Sequence, residues 1–387
     1  MIAPHLQFWG ILHKGNFKVK ARLTMSSLSP TISPVMMVDP RILFILSTAT
    51  PGSGGAVHVA SLTRGITPDK LAWNIVHQSK GEMFPENKYP SGSPGQLPFR
   101  DNSDIYTLLR LYRLIRLHRY NLVHTHLNRA GWLGGIAAFL AGVPAVHTVH
   151  GIDRPMYCRW ARRVIAVSRA SLEHLVRAGV PEEKLRLVYN GIWVEDFSGG
   201  SNNLTAHPAK PLTACLVGRL HAAKGQDTAI KAVAFLNRAG YNVKLVLAGD
   251  GPERKNLAGL ARSLAVQDTV RFTGDIPDIA GLLSEADLFL LPSKRESCPL
   301  SLLEAMAASK AAVVSSAGGT PELVSHGREA LIIPPDDPER FAAAMAMLLD
   351  NRTLRERLGM AAYERVSKQF HARRMVEETL EVYRELL

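Results

Sequence analysis

The chain has 387 residues, enough for two domains or one large one. With 46% hydrophobic and 21% charged residues, it reads as a globular protein, which excludes a disordered chain. Three scattered cysteines, Cys158, Cys215 and Cys298, exclude a disulfide scaffold and a CxxC metal site and fit a reducing compartment.

The net charge of +12 is lopsided. Residues 1–37 carry four basic residues and no acid. Residues 38–200 carry 19 basic against 12 acidic, and residues 201–387 carry 23 against 22. A basic first half suggests a polyanionic partner: nucleic acid, anionic lipid or a phosphorylated substrate. No zinc spacing, aromatic RNA-binding signature or long Lys/Arg run supports nucleic acid. The longest apolar run, Leu133–Val146, is too short to span a bilayer and is broken by Gly134, Gly135, Gly142 and Pro144.

Residues 1–37 read as a basic extension, either an overextended start or a tail, in preference to a membrane tether. From Arg41 short apolar runs alternate with amphipathic ones. Strands are expected at Ile42–Leu46, Leu71–Val76, Leu122–His124, Ala145–Thr148, Val164–Val167 and Leu187–Tyr189. The intervening helices include Gly55–Thr63, Ile105–His118, Gly131–Ala141 and Arg169–Ala178. Continuously apolar strands in such alternation predict a parallel sheet covered on both faces.

Within this half, Gly54-Gly55 follows the first strand. Small residues there let backbone N–H groups approach an anion at a helix start, although a tight turn explains them equally well. A dinucleotide fingerprint would need glycine where Val57 stands. The helix Ile105–Tyr120 carries Arg110, Arg113, Arg116 and Arg119. It suits an anionic membrane surface, or a sheet-packed helix with solvated arginines, the plainer account because period-three arginines drift around a helix. His124 and His126 are expected to alternate, so that only His126 faces the cleft.

Ser198–Leu212 is rich in Gly, Ser, Asn and Pro and reads as a linker. Alternation then restarts. Strands are expected at Ala214–Val217, Val243–Leu247, Val270–Thr273, Leu288–Leu291, Ala312–Val314 and Leu331–Ile333. Helices are expected near Asp227–Arg238, Pro252–Leu264, Ile276–Ser284, Leu300–Ala308, Pro321–His326 and Asp337–Leu349, and Asn351–Leu387 is helical. The expected fold class is therefore α/β: two Rossmann-like parallel-sheet domains facing a central cleft. The N-terminal domain is taken as 38–200, the C-terminal one as 201–365, and a helix at 366–387 is expected to return to the first.

Three loops of the second half carry chemistry. Gly218-Arg219 follows a strand and Lys224-Gly225 comes soon after. A guanidinium and an ammonium on one loop suit a diphosphate, or are two solvated cations. Glu296 on the loop Pro292–Leu300 and Glu304 in the next helix suit sugar hydroxyls, or form an ordinary acidic helix start. In this loop Pro299 is expected in the first helical turn, with Ser297 or Cys298 as its cap. Gly318-Gly319-Thr320-Pro321 is a helix start sufficient in itself, with Thr320 as cap.

In this order the segments resemble the retaining glycosyltransferases of family 4, also called group 1, which have the GT-B fold. The likeness runs from Arg41 to the end. It also takes in His124-Thr125-His126, Thr148-Val149-His150-Gly151, Asn190-Gly191 and Gly249-Asp250-Gly251-Pro252. The resemblance implies that Arg219 and Lys224 hold the donor diphosphate, with Gly218 on the same loop. It implies that Glu304 binds the ribose, and that Glu296 binds the transferred sugar with the backbone near Cys298, Pro299 and Leu300. Gly54 and Gly55 would approach the phosphates, and Gly274 and Ile276 would flank the base. His150, with His126, would meet the acceptor near the reacting carbon.

The implied catalytic set is thus His150, Arg219, Lys224 and Glu296, with no metal and no cofactor beyond the nucleotide sugar itself. A glycan or lipid-linked acceptor and a lipopolysaccharide or other surface-polysaccharide role follow from the family and the basic half. So does a cytoplasmic place with peripheral contact with an anionic membrane. Alternatives are a nucleotide-sugar-binding or assembly protein without turnover, and a glycoside hydrolase. Ser297-Cys298-Pro299 replaces the family's usual Gly-Phe-Gly after the first glutamate, and the stretch from His150 to Arg163 is short.

Overall fold

In a computed structural model, the structure describes residues 40–47, 53–67, 71–78, 95–151, 154–197 and 211–387. The expected extension at 1–37 and nearly all of the expected linker lie outside them.

The first sheet is built from β1 (Arg41–Leu46), β2 (Ala72–His77), β3 (Gly95–Gln96), β4 (Leu122–His126), β5 (Ala145–Val149), β6 (Arg163–Ala166) and β7 (Leu185–Leu187). Its helices are α1 (Gly54–Gly65), α2 (Ile105–Leu117), α3 (Asn128–Ala141) and α4 (Arg169–Arg177). All pairings are parallel, in the order β3-β2-β1-β4-β5-β6-β7. Every residue of β4 and β5 is buried, as a sheet covered on both faces requires.

The second sheet is built from β8 (Leu212–Val217), β9 (Val243–Ala248), β10 (Val270–Gly274), β11 (Leu288–Leu291), β12 (Ala311–Ser315) and β13 (Ala330–Ile333). Its order β10-β9-β8-β11-β12-β13, again all parallel, repeats that of the first. The helices are α5 (Gln226–Arg238), α6 (Arg254–Ser263), α7 (Ile279–Glu285), α8 (Leu300–Ala307), α9 (Thr320–Leu323), α10 (Pro338–Asp350), α11 (Arg352–Gln369) and α12 (Ala372–Arg384). This is the expected α/β architecture of two Rossmann-like sheets.

Period-two burial sorts the helices. Ile42, Phe44 and Leu46 pack with α1 and with Met375, Val376, Leu380 and Tyr383 of α12. Leu43 and Ile45 pack against Leu111 and Ile115 of α2 and against Leu133 and Ala137 of α3. The chain thus returns from the second sheet to cover the first. Each buried α12 side chain contributes ~1.5–3 kcal/mol. The crossing is fixed where Ile192 N donates to Phe370 O (3.1 Å) and Ala372 N to Ile192 O (2.8 Å).

Several expectations change. His124 and His126 do not alternate: residues two apart share a face of a strand, and their rings lie 4.1 Å apart. The last strand of the first sheet is Leu185–Leu187, two residues earlier than expected. Pro299 is the cap of α8 rather than part of its first turn. Gly319 caps α9, leaving Thr320 inside it with a buried hydroxyl. That helix ends at Leu323, not His326, because Ser325 N turns to the Glu329 carboxylate (2.8 Å). The helix expected from Ile276 starts at Ile279, since Asp278 accepts from Gly281 N (2.7 Å) and caps it. β3 has only two residues and no apolar pattern to betray it.

Candidate active site

In doubly wound sheets ligands bind beyond the carboxyl ends of the strands, where the strand order reverses. In the first sheet that point lies between β1 and β4, in the second between β8 and β11. The polar loops of both sheets gather there.

On the second sheet, β8 runs into Gly218 and Arg219. The chain makes a 3-10 turn at Ala222–Lys224 and enters α5 through Gly225, whose φ is +67°. A Cβ on Gly225 would come within 2.0 Å of Pro292 O, so only glycine lets this loop lie on the one after β11. Lys294 N donates to Ala223 O (2.8 Å) and completes the contact.

The result is one polar cluster. Lys224 Nζ donates to Glu296 Oε1 at 2.7 Å, and Ser293 Oγ donates to the same oxygen at 2.8 Å. Glu296 is buried, with a side chain 7% exposed. Gly318 and Gly319 hold its backbone, since a Cβ on either would sit 1.9 Å from Glu296 O or Ser297 O. Their role is this close approach rather than a helix start alone. Arg219 is exposed, and its guanidinium has no partner among the described residues. Its carbonyl accepts from Gln226 Nε2 (2.9 Å), which fixes the backbone.

Glu304 lies one turn into α8, half-buried, and its carboxyl has no partner among the described residues. Burial pushes it up to about 7. Gly274 has a φ of +73° and accepts from Gly249 N (2.8 Å). Ile276 is half-buried nearby in sequence.

The first sheet contributes histidines. His126 ends β4, His150 follows β5 and His58 lies one turn into α1. His126 Nδ1 and His150 Nε2 are 3.1 Å apart, and the rings of His58 and His150 meet edge to face at 4.8 Å. His124 is saturated between Tyr383 Oη (2.5 Å) and Thr148 Oγ1 (2.7 Å). His147, on the opposite face, lies against Thr125 Oγ1 (2.9 Å). Burial holds His58 and His147 at about 4, and His124, His126 and His150 well below the usual range. His150 is half-buried, whereas His126 is fully enclosed. Of the two, His150 is therefore the ring nearer solvent.

The two halves touch at the site. Asn190 Nδ2 donates to Cys298 O (2.7 Å), and its Oδ1 faces His58 Nδ1 (3.0 Å). The hydroxyls of Ser168 and Ser297 are 3.2 Å apart. Glu322 accepts from the N–H groups of Arg169 (2.8 Å) and Ala170 (2.9 Å) at the start of α4, and from Tyr189 Oη (2.8 Å). A Cβ on Gly54 would lie 3.9 Å from Leu300 Cδ1, whereas one on Gly55 would press on Leu127 at 3.1 Å. Cys298 is buried and its thiol is pushed up to about 12, which makes it packing and not a nucleophile. Pro299 is buried beside it.

Lys224 and Glu296 are thus brought together, with Arg219 on the same loop as Lys224, and Asn190 links the Cys298 backbone to the group of His58, His126 and His150. Sequence reading missed Ser293 and His58. His58 lies four residues after Gly54, a one-turn spacing that is its only signal. Ser293 had none.

Comparison with known proteins follows this division. The family described as "Glycosyl transferases group 1" matches residues 203–365, and "Glycosyltransferase Family 4" matches residues 52–196. Alpha-maltose-1-phosphate synthase of Mycolicibacterium smegmatis is 30% identical over 68% of this chain and 79% of its own length. The Escherichia coli UDP-Gal:alpha-D-GlcNAc-diphosphoundecaprenol alpha-1,3-galactosyltransferase is 27% identical over 65% of this chain and 72% of its own. The Anabaena protein HepE, crystallised with UDP and glucose, superposes with a TM-score of 0.78 at 23% identity, covering 89% of this chain and 99% of that one.

Proposed function

The chain belongs to the group 1, family 4 glycosyltransferases, enzymes that draw on nucleotide sugars, and from that premise we propose a specific reaction. It moves a hexose from a nucleoside diphosphate to a glycan or lipid-linked acceptor in surface-polysaccharide assembly. The anomeric configuration is retained and no metal ion is needed.

The observation that carries this reading is the Lys224–Glu296 pair at 2.7 Å with Arg219, unpaired among the described residues, on the same loop. Glu296 fixes one of the three ammonium donors, which leaves two for phosphate oxygens. Arg219 adds a planar fork that matches a diphosphate. Both cations then stabilise the charge that grows as the diphosphate departs. The second Glu296 oxygen is left to accept from hydroxyls of the sugar, and Glu304 accepts from the ribose. Gly54, at the start of a twelve-residue helix with no side-chain cap, offers N–H groups from the other sheet.

The acceptor hydroxyl attacks the anomeric carbon on the face the diphosphate leaves. The C–O bond to phosphate breaks with its electron pair on oxygen, and that oxygen takes the acceptor proton. No side chain becomes covalently attached. His150, half-buried and neutral, orients the acceptor and the sugar from the opposite wall.

The acceptor side is supported by the surface of α2. Ile105, Leu109 and Leu117 are 67%, 49% and 78% exposed, beside exposed Arg110, Arg113 and Arg116. No helix of the described residues is long and apolar enough to cross a membrane. Exposed aliphatics among arginines suit the inner surface of an anionic bilayer, where each cation contributes ~1 kcal/mol. The enzyme would meet a lipid-linked acceptor there.

The test is release of nucleoside diphosphate from a panel of nucleotide sugars offered with bacterial lipid extract. Release that depends on both donor and acceptor is expected. A donor that raises the melting temperature without turnover would make the chain a binding protein. Sugar freed from a glycan without nucleotide would make it a hydrolase.

A further inference from the structure

We propose that His58, His126 and His150 form a binding site for a borderline transition-metal ion such as Zn2+, and that an ion held there blocks transfer. The proposal rests on the reading of His150 as part of the active site. One ring nitrogen from each of the three lies within 4.8 Å of the others. His126 Nδ1 and His150 Nε2, at 3.1 Å, are already near the ~3.3 Å edge of a tetrahedron with Zn–N bonds of ~2.0–2.1 Å.

The tautomer of His58 is dictated from outside the cluster. Asn190 Nδ2 donates to Cys298 O, so Asn190 Oδ1 faces His58 and can only accept. His58 Nδ1 must then carry the proton, which leaves a bare lone pair on Nε2. Metal-bound histidines are oriented by such an acceptor on the second nitrogen.

His126 is fully buried and offers Nδ1, the nitrogen that faces His150; ligation there puts its proton on Nε2, which has no partner among the described residues. Burial also keeps all three rings neutral at pH 7, the form that ligates. His150 is the half-buried member, so a fourth ligand position would open toward the cleft. An ion drawing on His150 would take that ring from the acceptor.

The test uses the full chain, freed of metal by chelator and titrated with Co2+. Visible d–d bands saturating at one equivalent are expected. They should vanish in His150→Ala and in His58→Gln and weaken about 10–100-fold in affinity in Asn190→Leu. Added Zn2+ should abolish transfer, and chelator should restore it. If a histidine variant fails to keep the wild-type circular dichroism and melting transition, the remaining folded variants decide. Absence of bands in the wild type, or bands unchanged in the folded variants, overturns the proposal. A chain that binds Co2+ but turns over no nucleotide sugar would keep this site and lose the transferase reading. One that transfers sugar without binding Co2+ would do the reverse.

Discussion

Asn190, at the end of the first half of the chain, holds the carbonyl of Cys298 in the second at 2.7 Å and the ring of His58 at 3.0 Å. One buried amide therefore ties the glutamate-bearing loop to the histidine wall. Asn190→Ala leaves a carbonyl and an imidazole N–H unpaired, and each such loss costs ~1–3 kcal/mol. Urea denaturation should register the loss. Because the link spans the site, kcat/KM for transfer should fall further than the lowered stability explains. A variant with wild-type stability and turnover would remove this linkage.

The buried histidines set an acid limit on stability. Folding holds His58 and His147 at about 4, below their unfolded value of ~6.5. Below ~6.5 the unfolded chain takes up protons that the folded chain refuses, so stability falls with pH until about 4. Each ring contributes a loss on the order of 3 kcal/mol over that window. The melting temperature should be flat above pH 7 and drop steeply between 6.5 and 5. A flat profile down to pH 5 would contradict the burial of these rings.

Glu304 works in the other direction. Its folded value of about 7 lies above the unfolded carboxyl, so its contribution is full at acid pH and declines as pH rises through 7. Ribose hydroxyls donate to a carboxylate and favour the ionised form. Nucleoside diphosphate binding should therefore release a proton and tighten between pH 6 and 8. Calorimetry in buffers of different ionisation heat reads this directly. In Glu304→Gln the release should vanish.

The α2 surface predicts flotation with vesicles. Binding to anionic liposomes at low salt should weaken in Arg113→Glu with Arg116→Glu and in Leu117→Asp, while zwitterionic liposomes bind poorly throughout. Transfer to a soluble acceptor should be unaffected. Equal binding of wild type and variants would exclude this helix as the contact.

Much of the scaffold was legible because buried parallel strands are continuous apolar runs. Ile42–Leu46 and Leu288–Leu291 announce themselves in this way. The loops around Arg219, Lys224 and Glu296 were legible through glycine, cation and carboxylate spacing. Less was visible where meaning depends on a partner distant in sequence. Ser293 matters only because the chain folds its hydroxyl onto Glu296. Gly318 and Gly319 looked like a helix start, yet their close packing is against a carbonyl more than twenty residues earlier. The share of arginine-rich α2 that stays in solvent could not be read from its period, because that depends on where α3 lies.

The two cations of the Gly218–Gly225 loop give the most direct test. Arg219→Ala and Lys224→Ala should be titrated with nucleoside diphosphate and with nucleoside monophosphate alongside assays of transfer. Both variants should remain folded, lose affinity for the diphosphate far more than for the monophosphate, and show almost no turnover. Wild-type diphosphate affinity and turnover in either variant would contradict the account.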